Sequence, residues 1–386
     1  MLRLLLLSLL FVIACSDSND KSPQFEDGTL ALTPGSNTTE LNLAWYSSTL
    51  DTKTVVRLFD ADGIFIKTAM GTYGAASKGK LWHKVTLTDL TPGAKYKYSA
   101  SSDSVNWSEE YDYSVPESGA FRFAIVGDPQ LEARNSKAAN AWAGVVGKIA
   151  EAGASFIVSA GDHVDNSNGD ESEFKLFFAP PELRNIPFAP ARGNHDPADL
   201  FVYHFNLPNE QNLASGNYFY LYNNILFIAL NTAHWPGSKE RAAEYVADFN
   251  STIKEAKAAN AGKYEWIIVH HHKSTRSVAI HFYDDDVRHY IEGGFDKLMA
   301  ESGVDLVIAG HDHIYVRTRE PKPVYLTVST ASNAKFYDAL EEADKSSIAK
   351  YSQRNVPEYT IADVDGKNLV LKTFGLDGFL VDEFSL

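Results

Sequence analysis

Residues 304–318, VDLVIAGHDHIYVRT, carry an apolar run to a glycine and then set His311 and His313 on either side of Asp312. Alternation along an extended chain predicts two imidazoles on one face and the carboxylate on the other. Two histidines at this spacing beyond a strand end suit a metal ion if other donors join them. Four further apolar runs end on such donors: FRFAIVGD on Asp128, FIVSAGD on Asp162, FAPARGN on Asn194, and WIIVHHH on one of His270, His271 and His272. Open α/β sheets gather their sites at the carboxyl ends of strands, so these groups are expected to converge. Glycine before several of them lets the backbone turn sharply and come close to an ion. Oxygen and imidazole donors without thiolate suit Fe, Zn or Mn and exclude a cysteine-rich structural zinc site. The number of donors points to two ions. Asp128, Asp162 and His313 serve one; Asn194, His311 and a histidine of residues 270–272 serve the other, with Asp162 bridging. A cation pair of this kind clamps a phosphoryl group and acidifies a water for in-line attack, so phosphoryl transfer is the chemistry expected.

The elements that must position these donors fall into two blocks. Residues 25–115 read as short strands in which aromatic and β-branched residues alternate with polar ones, punctuated by Gly, Asp and Pro. This predicts an all-β sandwich, and TDLTPGAKYKYSASS followed by WSEEYDYSVP resembles the late strands of a fibronectin type III-like domain. After PESG, residues 119–386 alternate apolar runs with segments of helical period such as SKAANAWAGVVGKIAEAG, which predicts an α/β layered domain. GNYFYLYNNILFIALN reads as a hairpin about Asn223 and Asn224, and FYDALEEADKSSIAKYSQRN as a helix covering the catalytic face.

A formal net charge of −15 over 386 residues lacks the clustered Lys and Arg that hold a phosphate backbone, so no nucleic-acid partner is expected. The single cysteine, Cys15, excludes an intramolecular disulfide framework. It ends MLRLLLLSLLFVIAC, a basic residue and a short apolar core that resemble a bacterial lipoprotein signal over residues 1–15. The expectation is an exported chain, in the periplasm or at the cell surface, held to a lipid bilayer through acylated Cys15, with residues 16–24 as a flexible tether.

The blocks GDPQ, GDHVD, GNHD, VHHH and GHDH are similar, in order and spacing, to those of calcineurin-like metallophosphoesterases. The β-sandwich in front, GHDHIYVRTREPKPVYLTVST and the closing YTIADVDGKNLVLKTFGLDGFLVDEF resemble the purple acid phosphatase branch. The resemblance implies a binuclear centre of divalent or mixed-valence Fe, Zn or Mn, and a phosphate-ester substrate. Asp128, Asp162 and His313 would bind the first metal, and Asp162, Asn194, His272 and His311 the second. The Val269-to-His272 register selects His272, with His270 or His271 taking its place if the strand ends earlier. His195 matches the family histidine that contacts phosphate and protonates the leaving oxygen, and His281 is similar to histidines that contact substrate. Two positions depart from the branch. Asp165 stands where purple acid phosphatases place a tyrosine ligand, so no purple colour is expected, and Asp165 instead would orient His195 and raise its pKa. Gln130 stands where many relatives carry histidine, and would coordinate through its carbonyl, hydrogen-bond a metal water, or sit as an exposed loop residue. Residues 284–286 with Arg288 read as a solvated loop or helix cap, and His163, His234 and His289 carry no motif. A phosphomonoesterase is the expected activity. A phosphodiesterase for cyclic nucleotides or glycerophosphodiesters is the alternative, and a non-catalytic surface binding protein is a minor one.

Overall fold

The computed structural model describes residues 25–48, 53–165, 171–209, 216–319 and 321–386. The leader, Cys15 and the tether lie outside these. The N-terminal block is a sandwich of two four-stranded antiparallel sheets. One orders Phe25–Pro34, Leu41–Ser47, Leu81–Leu87 and Thr72–Ala75; the other orders Phe65–Met70, Val55–Asp60, Lys95–Ser101 and Tyr111–Ser114. Alternate residues such as Leu41, Leu43, Trp45, Val56, Leu58 and Tyr98 point inward and make its core.

The second block stacks two sheets face to face between helices. Phe188–Ala189, Ile157–Ser159 and Phe121–Val126 run parallel, and Glu358–Asp365, Asn368–Gly375 and Leu380–Ser385 extend that sheet antiparallel to six strands. The facing sheet has seven strands: Tyr218–Tyr222, Ile225–Ala229, Trp266–Lys273, Leu306–Gly310, Val324–Thr327, Tyr315–Thr318 and Ile348–Ser352. Period-two alternation divides each central strand between two cores. In the seven-stranded sheet, Phe227, Ile268, Ile308 and Leu326 face the six-stranded sheet. Leu226, Ile228, Ile267, Val269 and Val307 face outward, under helices Lys239–Ala259 and Phe295–Glu301. Burial on both faces is why these strands read as unbroken apolar runs. Phe123 shows the intersheet packing: its ring stacks on Phe156 at 5.5 Å and meets Phe227 edge-on at 5.3 Å.

The blocks share a polar and aromatic seam. Tyr98 Oη donates to the Arg184 carbonyl at 2.7 Å, Asn42 Nδ2 to the Asn206 carbonyl at 2.8 Å, and Tyr46 stacks on His204 at 4.4 Å. The hairpin forms as read, with Tyr222 paired to Ile225 around Asn223 and Asn224. The expected covering helix does not form. Residues 336–347 lie in irregular backbone, and Ile348–Ser352 pairs with Tyr315–Thr318 as the edge strand of the seven-stranded sheet. The mixed charge that suggested a helix face lies mostly in that irregular stretch, at residues such as Glu341, Glu342 and Asp344, and the edge strand that follows exposes Ala349, Lys350 and Tyr351.

Candidate metal centre

The strands Phe121–Val126, Ile157–Ser159 and Leu306–Gly310 stop side by side at one rim of the two stacked sheets, and the next few residues of each turn inward. Asp128, Gln130, Asp162, His311 and His313 all have positive φ, at 52°, 39°, 53°, 70° and 47°. Left-handed backbone costs an L-residue roughly 1–2 kcal/mol. Five such residues at one rim mark a place where the surrounding structure holds the chain against its preference. The preceding glycines make room for the donors themselves. A Cβ at Gly193 would lie 2.0 Å from Asp162 Oδ1, and one at Gly310 would lie 2.3 Å from Asp128 Oδ2.

His311 and His313 do face the same side, and Asp312 faces away, but extended alternation is not the reason. The two left-handed residues turn both rings inward. Asp312 is buried on the other side, accepting from Ser277 Oγ at 2.8 Å and from the backbone N–H groups of Val278 and Ala279 at 2.8 and 3.0 Å. Burial pushes its carboxyl up. In the 270–272 run the strand continues through Lys273, so alternation sends His271 outward against Phe295, with ring centroids 4.8 Å apart. His270 points inward but bonds to the Ser159 carbonyl, at 3.0 Å, and packs edge-on against Tyr218 and Tyr220. His272 alone of the three meets the other donors.

Around His272 Nε2 stand Asn194 Oδ1 at 3.0 Å, Asp162 Oδ2 at 3.2 Å and His311 Nδ1 at 3.2 Å. The far nitrogens of these rings set their tautomers. His272 Nδ1 lies 2.8 Å from the Ala160 carbonyl and His311 Nε2 lies 3.2 Å from Asp284 Oδ2, so each carries its proton outward. Four acceptor lone pairs therefore point at one spot. On the other side of Asp128 the pattern repeats: His313 Nδ1 gives its proton to the Lys335 carbonyl at 3.1 Å and turns Nε2 toward Asp128 Oδ1 at 3.4 Å. Histidines that donate one nitrogen to a carbonyl or carboxylate and aim the other inward are the usual ligands of a metal site, and their acceptors form its outer shell. Acceptors crowded in this way repel unless positive charge lies between them, so the residues fit a bound cation.

Titration behaviour shows the same demand. Burial acts to lower the His272 imidazole, yet the charge and hydrogen bond of Asp162, with the charge of Asp128, push it up to about 9. Burial acts to raise Asp162, but His272 and His195 hold it well below the usual carboxylate range. His311 is pushed well below the usual histidine range by burial and by neighbouring positive charge, which leaves it a neutral donor.

His195 sits beside this cluster, half-buried, with its backbone N–H donating to Asp162 Oδ1 at 2.8 Å. Its Nδ1 lies 2.8 Å from the main-chain carbonyl of Asp165 and 3.5 Å from the Asp165 carboxylate, which also pairs with Lys335 at 3.1 Å. The orienting contact is thus chiefly Asp165 backbone, a correction to the expected side-chain role. His281 stacks on His311 with ring centroids 3.8 Å apart, and Tyr337 lies against His313 at 4.9 Å. Gln130 is not an exposed loop residue. It is 3% exposed, its Nε2 donates to Asp162 Oδ2 at 3.4 Å, and its Oε1 has no hydrogen-bond partner among the described residues.

Two supports escaped the reading of single residues. Asp196, quoted within GNHD but given no role, accepts from the backbone N–H groups of His163 and Gly193 at 2.9 Å each and pairs with the His163 ring. It ties the Asp162 turn to the Asn194 turn. Asp286 is buried against Lys273 and so is no solvated loop residue.

The calcineurin-like phosphoesterase profile matches residues 121–315, and that of the purple acid phosphatase N-terminal domain matches residues 28–114. Among solved structures, the chain is similar to purple acid phosphatase PPD1 from yellow lupin (Lupinus luteus) seeds. They share 16% identity and a TM-score of 0.75, with 92% of this chain and 73% of the lupin chain covered. It is also similar to GAP50, described as the anchor in the inner membrane complex of Plasmodium, at 19% identity and a TM-score of 0.51, covering 69% of this chain and 89% of that one. No curated protein matches the sequence.

The crowding at Gly193 yields a direct expectation. Gly193→Ala displaces the Asp162 carboxylate, and an error of about 1 Å in a positioned group costs roughly 10²-fold. Cation uptake measured by elemental analysis should fall steeply while far-ultraviolet circular dichroism stays at the wild-type value.

Proposed function

This chain belongs to the calcineurin-like phosphoesterase family, and on that premise we propose that it hydrolyses phosphomonoesters at a binuclear metal centre. Its enzyme class is phosphoric ester hydrolase, and the N-terminal sandwich is of the purple acid phosphatase type. The observation that carries the finer reading is the convergence of acceptor lone pairs from Asp162, Asn194, His272 and His311 on one spot, with the Asp128–His313 pair beside it. In this reading Asp128, Asp162 and His313 hold one cation and Asp162, Asn194, His272 and His311 hold the other. Fe, Zn or Mn in divalent or mixed-valence form suit the oxygen and imidazole donors. Bound there, the cations supply charge neutralisation for a phosphoryl group and acidify a water.

The remaining steps belong to side chains of this protein. With Nδ1 engaged by the Asp165 carbonyl, His195 keeps Nε2 for the substrate. A proton on Nε2 passes to the leaving oxygen as the phosphorus–oxygen bond breaks, and the incoming water restores the fourth oxygen of phosphate. The Asp162 contact to the His195 backbone N–H keeps this acid in step with the shared carboxylate. In this reading His281, stacked on His311, contacts the ester. We also propose export and attachment to a bilayer through acylated Cys15; the support is the leader MLRLLLLSLLFVIAC alone.

The alternative reading is a phosphodiesterase; the cavity lined by Phe282, Asp284, Arg288 and Ile291 meets the His281–His311 pair through Asp284 alone. Turnover of p-nitrophenyl phosphate against bis-p-nitrophenyl phosphate decides between the two. A clear monoester preference is expected, and a strong bis-ester preference overturns the monoesterase reading. His195→Ala should lower turnover by roughly 10²- to 10⁴-fold, the scale of general acid catalysis. Its metal content should stay at the wild-type level, and a parallel loss of metal would contradict the role given to His195.

A further inference from the structure

Helix Asp285–Glu292 begins at Asp284, a residue type that strongly favours the position before a helix because its carboxylate can accept from the free N–H groups of the first turn. Here it makes no such bond. Its Oδ2 turns away from the helix and accepts from His281 Nδ1 at 2.7 Å and from His311 Nε2 at 3.2 Å. A capping bond is worth about 1 kcal/mol to a helix. The chain forgoes it for two contacts that both belong to the metal rim. The rings so held lie face to face at 3.8 Å and 27°. The donor atoms of His281, Asp284 and His311 all lie within 4.8 Å of one another.

We infer that Asp284 is a positioning residue, which through one carboxylate oxygen locks a metal-facing histidine and a substrate-facing histidine into a single unit. The inference rests on the binuclear reading above and adds to it the group that sets the tautomer and tilt of His311. Accepting the Nε2 proton fixes the lone pair on His311 Nδ1, the atom that lies 3.2 Å from His272 Nε2, and makes that nitrogen a stronger donor. The same oxygen fixes Nδ1 of His281, leaving its Nε2 as the nitrogen free for a ligand. Asp284 also lines the neighbouring cavity and its side chain is 34% exposed, so it is reached from solvent without opening the core. Asp285, the next residue, provides a natural control. It is 63% exposed, pairs only with Arg288 among the described residues, and touches neither ring.

The test compares wild type, Asp284→Asn and Asp285→Asn, each full-length and equilibrated in buffered free Zn²⁺ over a range of concentrations, with bound zinc read by elemental analysis. Asp284→Asn keeps the shape of the side chain and removes its charge. Wild type and Asp285→Asn are expected to bind two ions alike. Asp284→Asn is expected to lose roughly 10- to 100-fold in affinity at one of the two ions, the usual cost of losing an outer-shell partner, and to keep the other. Its melting temperature in excess chelator should match wild type. Unchanged affinity at both ions in Asp284→Asn would overturn the inference while leaving the binuclear reading intact. Equal loss at both ions with a lower melting temperature in chelator would overturn it in favour of a general structural role. A wild-type protein that takes up no zinc and no other divalent ion would instead bring down the binuclear reading itself.

Discussion

Acceptor atoms that face one another across about 3 Å in a largely buried site repel, and the protein holds four of them that way at His272. Everything else at the rim serves to keep that arrangement from relaxing. Each ring is pinned from behind, His272 by the Ala160 carbonyl, His313 by the Lys335 carbonyl and His311 by Asp284, so none can rotate its lone pair away. Asp128 and Asp162 are buried and anchored by backbone N–H groups, Asp128 by that of His311 and Asp162 by that of His195. A folded chain tolerates such crowding only where a positive charge is to be shared, and the same demand is why Asp162 and Asp128 push the His272 imidazole up against the effect of burial.

That constraint reaches back into the backbone. To bring donors from separate strands onto one spot, the chain leaves three of those strands through residues with positive φ, Asp128, Asp162 and His311, and at Gly193 and Gly310 it passes so close to a carboxylate that no side chain fits. The stacked sheets supply the rigidity that makes these turns affordable, because both faces of their central strands are packed. Loops alone would not hold five left-handed residues in register. The rim is therefore strained locally and supported globally, the usual arrangement at a functional site.

Much of this was legible in the linear chain. The order of GDPQ, GDHVD, GNHD, VHHH and GHDH placed donors after apolar runs, and strands that end on donors have few ways to avoid one another in a layered sheet. The Val269-to-His272 register pointed to His272 but left His270 and His271 open, and the strand's continuation through Lys273, with His272 Nε2 beside Asn194, shows which ring meets the other donors. What could not be read depends on contacts between distant segments. Mixed charge in FYDALEEADKSSIAKYSQRN suits a helix and a solvated irregular stretch equally, and pairing with Tyr315–Thr318 makes a strand only of Ile348–Ser352. Asp284 looked like a cap because its position in sequence is that of a cap, and only the approach of His311 shows where its carboxylate goes. Asp165 acts on His195 chiefly through its carbonyl, a contact for which the identity of a side chain carries no signal.

The cation demand of the rim is tested most directly by the metal content of the purified chain, measured by elemental analysis and located by anomalous scattering in crystals. The account predicts two ions per chain, one among Asp162, Asn194, His272 and His311 and one beside Asp128 and His313. A chain that holds well under one ion after saturation with Fe, Zn or Mn, with the same donors still gathered at the rim, would contradict it.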